Sequence, residues 1–190
     1  MKLVLESKRL LLRPLEEMDA NVEVEMGTDP EVMKYVGELE TKDEIVRDMP
    51  KYTKRCAGGC IGIWCVIDRS TNEKLGTAML LPMPIDEDDT NWDLVAGDDL
   101  PAGDIEIGYM FRKSAWGKGY ATEATRRLLQ FAFEETPLNE IVATTDPENK
   151  ASQHILIKCG LRDEGPRRAY NYDGCAGFRI TKAEWLAQNV

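Results

Sequence analysis

The run from Ile105 to Ala124, IEIGYMFRKSAWGKGYATEA, sets a carboxylate, Glu106, upstream of two glycines one residue apart, Gly117 and Gly119. Glycine lets backbone amides approach a ligand closely, and a helix beginning directly after it offers unpaired N–H donors with a partial positive charge. Such a joint suits a phosphate or pyrophosphate, with Glu106 one strand away and available as a base. The plainer alternatives are a tight turn for the glycines and a strand-edge ion pair for Glu106.

Positioning these groups requires a strand, a loop and a helix in that order. Ile105, Ile107, Tyr109 and Phe111 alternate with Glu106, Gly108, Met110 and Arg112, which predicts a two-faced strand with Glu106 and Met110 on one side. From Gly119 the period becomes helical, with Ala121, Ala124, Leu128, Phe131 and Ala132 on one face and Pro137 closing the helix. Upstream, strands are expected over residues 6–15, 60–68 and 74–81, the last two joined as a hairpin by Ser70, Thr71 and Asn72. Helices are expected over 19–27, stopped by Gly27, and over 41–56, where Thr41 and Glu44 have capping-box spacing. Downstream come a short strand at 141–144, a helix opening at Asp146-Pro147 or at Asn149 and stopped by Gly160, and strands at 161–164 and 174–180. That order predicts a mixed α/β sheet flanked by helices rather than a regular doubly wound array.

A chain of 190 residues with 43% hydrophobic residues fits one domain spanning 1–190. No run approaches the roughly 18 apolar residues of a membrane span, and charges interrupt the N-terminal apolar residues, so a soluble, cytoplasmic protein with no membrane partner is expected. The five cysteines form no paired C-x-x-C pattern and His154 is the only histidine, which argues against a disulfide framework and against a metal site. A formal charge of −10 disfavours nucleic acid as the main partner and favours a cationic substrate. Much of that charge falls in 82–104, an insertion without Lys or Arg that reads either as a solvated loop or as an electrostatic lure for amines.

The glycine joint is not a P-loop, because Lys118 is followed by Gly119 and no glycine precedes Gly117 at the required distance. A dinucleotide fingerprint stays as a weaker alternative, since Thr122 stands where its third glycine belongs. The run EIGYMFRKSAWGKGYATEA followed by PENKASQHILIKCGL resembles the GNAT superfamily of acetyl-CoA-dependent N-acetyltransferases, most closely its RimJ/RimL-like branch. The opening ESKRLLLRPLEEMDA and the closing AGFRITKAEWL are similar to that branch as well.

The resemblance implies a GNAT-like fold, with a mostly antiparallel sheet of about seven strands, and acetyl-CoA as cosubstrate without a metal. It implies that amides from Gly117, Lys118, Gly119, Tyr120, Ala121 and Thr122 hold the pyrophosphate, with charge added by Lys118 or Arg112. Trp116 departs from the family's Gln or Arg at the first motif position. The pantetheine arm would lie along the backbone of Tyr109, Met110 and Phe111, and Asn149 would contact pantetheine amides or bound substrate. Glu106 stands where similar enzymes place a base. The tyrosine that many relatives use as acid is Leu156 here, which leaves Ser152 to serve the thiolate or simply to cap its helix. Tyr170 and Tyr172 are late-loop residues that line the acceptor pocket or pack.

The expected activity is acetyl transfer to a primary amine, of a protein N-terminus in the ribosomal-protein manner or of a small molecule such as a polyamine, aminoglycoside or amino-acid derivative. No covalent enzyme intermediate is expected, and Cys159 and the other thiols are not needed as nucleophiles. A catalytically silent CoA-binding sensor is the rival of another class, and the assembly is expected to be a monomer or homodimer. Replacing Glu106 by Gln is expected to cost most at low pH.

Overall fold

A computed structural model describes residues 2–188. The elements are β1 (Leu5–Glu6), β2 (Leu10–Pro14), α1 (Ala20–Gly27), α2 (Pro30–Met33), α3 (Lys42–Tyr52), β3 (Gly62–Asp68), β4 (Lys74–Pro82), β5 (Ile105–Phe111), α4 (Tyr120–Glu135), β6 (Glu140–Thr145), α5 (Lys150–Lys158), β7 (Arg162–Ala169), β8 (Tyr172–Thr181) and α6 (Lys182–Gln188). The strands form one eight-stranded sheet in the order β1-β2-β3-β4-β5-β6-β8-β7. Every neighbouring pair is antiparallel except β5 with β6, which the α4 crossover makes parallel. Among the described residues no helix is long and apolar enough to cross a membrane.

Helices cover both faces. On one, α4 lays Leu128, Phe131 and Ala132 over Trp64, Ile107 and Phe111, with α5 and α6 completing the layer through Leu156 and Trp185. Trp64 is fully buried, meets the Phe131 ring edge-on at 5.6 Å and donates its indole N–H to the Leu3 carbonyl at 2.9 Å. On the other face, Val22 and Met26 of α1 and Met49 of α3 pack over Cys65, Ile67 and Met110. Thr41 and Glu44 cap α3 reciprocally, as their spacing predicts.

Several expected elements differ in extent. The strand expected over 6–15 is two, because Ser7 and Arg9 turn the chain and are both held by Glu123 of α4. The helix expected over 41–56 ends at Tyr52. β7 extends through RDEGPRRA, which has no alternating pattern and carries Pro166; pairing with β8 at the sheet edge outweighs its poor strand propensity. α2 and α6 were not expected from periodicity, although Thr181 and Glu184 have capping-box spacing and Thr181 takes both bonds.

Residues 83–104 form no strand or helix, yet they are tied to the rest of the chain. Val95 joins the core, Asp89 pairs with Lys51 at 2.8 Å, Asp86 pairs with Arg168 at 2.8 Å, and Asp104 pairs with Arg167. Three of the eight acids of this stretch are thus matched by cations from other elements, and the other five carry no ion pair among the described residues.

Phe131→Ala should destabilise the fold by about 3–5 kcal/mol, since it leaves a cavity against Trp64 under α4. Urea unfolding should show a lower midpoint with an unchanged slope, and a loss below about 1 kcal/mol would contradict this packing.

Candidate active site

β5 is registered with β4 along its whole length, from Gly76 opposite Phe111 to Pro82 opposite Ile105. With β6 the registered pair is Glu106 opposite Val142, and beyond it the two strands part. The edge of β5 after Glu106 therefore faces a gap, where backbone N–H and C=O groups are available to an extended ligand added like a strand. Tyr109, Met110 and Phe111 lie on this stretch.

Past the end of β5 the chain makes a 3-10 turn at Lys113–Ala115 and reaches the glycine loop. Gly117 and Gly119 both take left-handed φ, 72° and 76°, which a side chain would strain. A Cβ built on Gly117 meets nothing within 4 Å, so the loop is also open to an approaching group. Gly119 is the N-cap of α4, and no side chain caps that end. The first helical bond across the cap runs from Glu123 N–H to Gly119 O at 3.1 Å, which leaves the amides of Tyr120, Ala121 and Thr122 as the orphan donors. These residues can hold a pyrophosphate through backbone dipoles, as helix N-termini do.

Of the two cations the sequence suggested for this loop, Lys118 and Arg112, the structure draws one away. Arg112 turns away, with its guanidinium engaged by Glu25 and Glu73, because α1 and the β3–β4 hairpin crowd that end of β5. Lys118 is exposed, and its carbonyl accepts from Arg9 at 2.8 Å. Arg9 also stacks 4.6 Å over the Tyr120 ring and pairs with Glu123 at 2.6 Å. No local pattern signals this residue, since it arrives from the β1–β2 turn more than a hundred positions away in sequence. Trp116 is 45% exposed and donates its indole N–H to the Phe111 carbonyl at 2.8 Å, fastening the loop to the strand end.

On the α4 face of the sheet, the Tyr109 hydroxyl lies 3.0 Å from Ser152 Oγ and donates to the Ser152 carbonyl at 3.2 Å. Burial pushes the Tyr109 phenol up. Asn149 caps α5, its Oδ1 accepting from the Ser152 amide at 3.1 Å. Ser152 is therefore the capped residue and not the cap, and its hydroxyl is left for Tyr109 or a ligand. Tyr109, expected to contribute backbone, supplies a side chain here. His154 is exposed on the same helix.

Glu106 lies on the opposite face. It is 2% exposed, and burial pushes its carboxyl up to about 7 against the hydrogen bond it accepts from the Tyr170 hydroxyl and the nearby charge of Arg167. Tyr170 and Asn171 form the tight β7–β8 turn with left-handed φ of 52° and 54°, and their amides donate to Pro84 and Ile85 at the start of 83–104. Tyr170 thus closes over Glu106 from a distant hairpin, while Tyr172 remains 55% exposed. The sheet separates Glu106 from the Tyr109–Ser152 pair, and both lie on the strand that borders the gap. A base on one side and hydroxyl donors on the other suit the transfer of a group from an arm lying in the gap to an amine arriving on the Glu106 face. The five cysteines are buried and free, and burial pushes Cys159 up to about 11, which leaves it a poor nucleophile at neutral pH.

Comparison with known proteins identifies the family. The acetyltransferase (GNAT) domain family matches residues 9–162. An uncharacterized N-acetyltransferase, p20 of Bacillus licheniformis, is 32% identical over 86% of this chain and 85% of its own. The FsC-acetyl coenzyme A-N(2)-transacetylase of Aspergillus fumigatus is 29% identical over 96% of this chain and 77% of its own. The crystal structure of a GNAT-family acetyltransferase from Bacillus anthracis superposes with a TM-score of 0.73 at 26% identity, covering 95% of this chain and 99% of the other. With its mixed sheet parted at one parallel junction and the family match spanning most of its length, the chain belongs to the GNAT acetyltransferase family.

Proposed function

We propose that the chain transfers the acetyl group of acetyl-CoA directly to a primary amine. The observation that carries this reading is the parting of β5 from β6 between Glu106 on one face and Tyr109–Ser152 on the other. The uncapped α4 terminus and the open Gly117 loop fit a pyrophosphate, and the free edge of β5 fits a pantetheine arm. Acetyl-CoA, when bound, supplies the acetyl group as a thioester. The A. fumigatus relative has acetyl coenzyme A in its name, which supports this donor.

In this reading Glu106 accepts the proton of the incoming ammonium or amine, directly or through a water. Tyr170 positions that carboxylate and keeps part of it ionised near neutral pH. Ser152, oriented by Tyr109 and by the Asn149 cap, donates toward the departing sulfur. The acceptor is a small cationic amine or a peptide N-terminus of the RimJ/RimL-like type, both suited to an acidic protein. A thiol-release assay with acetyl-CoA and a panel of amines and peptides tests the activity: release with at least one acceptor is expected. CoA binding without release for any of them would favour the silent-sensor alternative.

The pH dependence follows from Glu106. Its carboxyl titrates near 7, so below that it is protonated and cannot accept a proton, and turnover should rise as pH passes through about 7. Glu106→Gln should lower turnover by about 100-fold or more at pH above that value, with the gap to wild type narrowing at lower pH and CoA affinity retained. This reverses the expectation that the cost is largest at low pH, because a carboxyl pushed up to about 7 is already protonated there and has no base function to lose. An unchanged rate would remove Glu106 from the mechanism.

Tyr170→Phe removes a donor that lowers the Glu106 carboxyl, so the midpoint of the pH–rate profile should move upward. A profile unmoved from wild type would show that Tyr170 merely packs.

A further inference from the structure

We propose that Glu23 and Glu40 form a second cation site, which binds the distal ammonium of a diamine or polyamine whose reacting amine sits at Glu106. This names the substrate class of the acetyl transfer above and rests on that reading.

Glu23 lies on the sheet-facing side of α1, 9% exposed, and its Oε1 has no hydrogen-bond partner. A buried carboxylate oxygen left in that state opposes folding unless something compensates it. Glu23 and Gly27 share one side of α1, and Asp19, the N-cap residue before it, precedes Glu23 by the same spacing of four. Their surroundings differ. Asp19 is met by Arg13 and Lys74, each at 2.7 Å. At Gly27 a second carboxylate comes in, with Glu40 Oε2 3.4 Å from where a Cβ would stand.

Glu23 sits between these two acids, and among the described residues no Lys or Arg pairs with it or with Glu40. Burial, then the charges of Glu40 and Asp19, push the Glu23 carboxyl up to about 7, and burial also raises Glu40. Lys51, the cation whose charge reaches Glu40, is already paired with Asp89. An ammonium ligand would restore the missing charge and the missing hydrogen bond together. Tyr52 donates to Glu40 at 3.4 Å, and the Lys51 ammonium already lies over the Tyr52 and Trp92 rings at 5.3 and 5.6 Å, so the carboxylates rather than the rings are what an added ammonium would meet.

The span to Glu106 selects the length of the ligand. Glu23 acts on the Cys65 thiol beneath it, and Cys65 stands in one cross-strand row with Thr77 and Met110. Glu106 is on the same face as Met110, four residues back along β5. Sheet spacings give about 10 Å across the strands and about 13 Å along them, or roughly 16 Å between the Cα atoms of Cys65 and Glu106. The side chains shorten that span to the reach of an extended polyamine, and a single amine cannot bridge it.

Calorimetric titration of spermidine and of butylamine into the CoA-loaded protein tests the site. Spermidine should bind at least about tenfold more tightly than butylamine, and Glu23→Gln and Glu40→Gln should each remove most of that ratio. Asp99→Asn, an exposed acid in 83–104, should leave the ratio intact. Equal affinity for the two amines in the wild type, a ratio retained in Glu23→Gln, or an equal loss in Asp99→Asn, which would indicate general charge attraction, overturns the proposal. Glutamine keeps the shape of Glu23 without its charge, and should Glu23→Gln unfold, the partly exposed Glu40→Gln makes the same comparison. Thiol release from acetyl-CoA is read separately: its absence with every amine overturns the acetyl transfer, while the binding ratio still decides the site.

Discussion

One parallel junction in an otherwise antiparallel sheet governs this molecule. β5 and β6 are linked through α4 and run the same way, and their registered pair is Glu106 with Val142. Each is held on its other edge, β5 by β4 over its full length and β6 by β8 from Glu140 to Thr145. Neither strand can swing across to close the gap without breaking a ladder already formed. The gap is therefore a fixed feature of the sheet, and the glycine loop that follows β5 opens beside it.

The gap also explains how groups on opposite faces of one strand can serve one reaction. Alternation along β5 sends Glu106 and Tyr109 to different sides, where they find different partners: Tyr170 from the β7–β8 turn and Ser152 from α5. In a continuous sheet they would be separated by a layer of backbone. At a parted edge both faces border the same opening. The two sides differ in cover, α4 and α5 on the Tyr109 side and α1 and α3 on the other.

Three buried carboxylates on that side show that burial alone does not set their charge. Burial would push Asp19 up, but hydrogen bonds from Arg13 and Lys74 outweigh it and hold its carboxyl below the usual range. Glu106 has one phenolic donor and a more distant arginine, and burial wins. Glu23 has neither, and its neighbours are acids. Asp19 stabilises the fold as an ionised group, whereas the other two store unmet polarity where a ligand can meet it.

Local signals in the sequence fix a good deal. The alternation of 105–111, the helical period after Gly119, the Thr41–Glu44 capping box and the stop at Gly160 depend on neighbours in the chain, and all are legible because their physics is short-range. The glycine joint, the carboxylate upstream of it and Asn149 at the start of α5 are readable for the same reason. The partners of those groups are not. Arg9 at the glycine loop, Tyr109 against Ser152, Tyr170 over Glu106 and the engagement of Arg112 by Glu25 and Glu73 join residues from 39 to more than a hundred positions apart. The acidity of Glu106 and Glu23 is likewise set by what the fold buries around them. Residue type and spacing determined which groups were available, and the tertiary structure decided which are charged, which are paired and which face the gap, because desolvation and long-range contacts exist only once the sheet and its helices have closed.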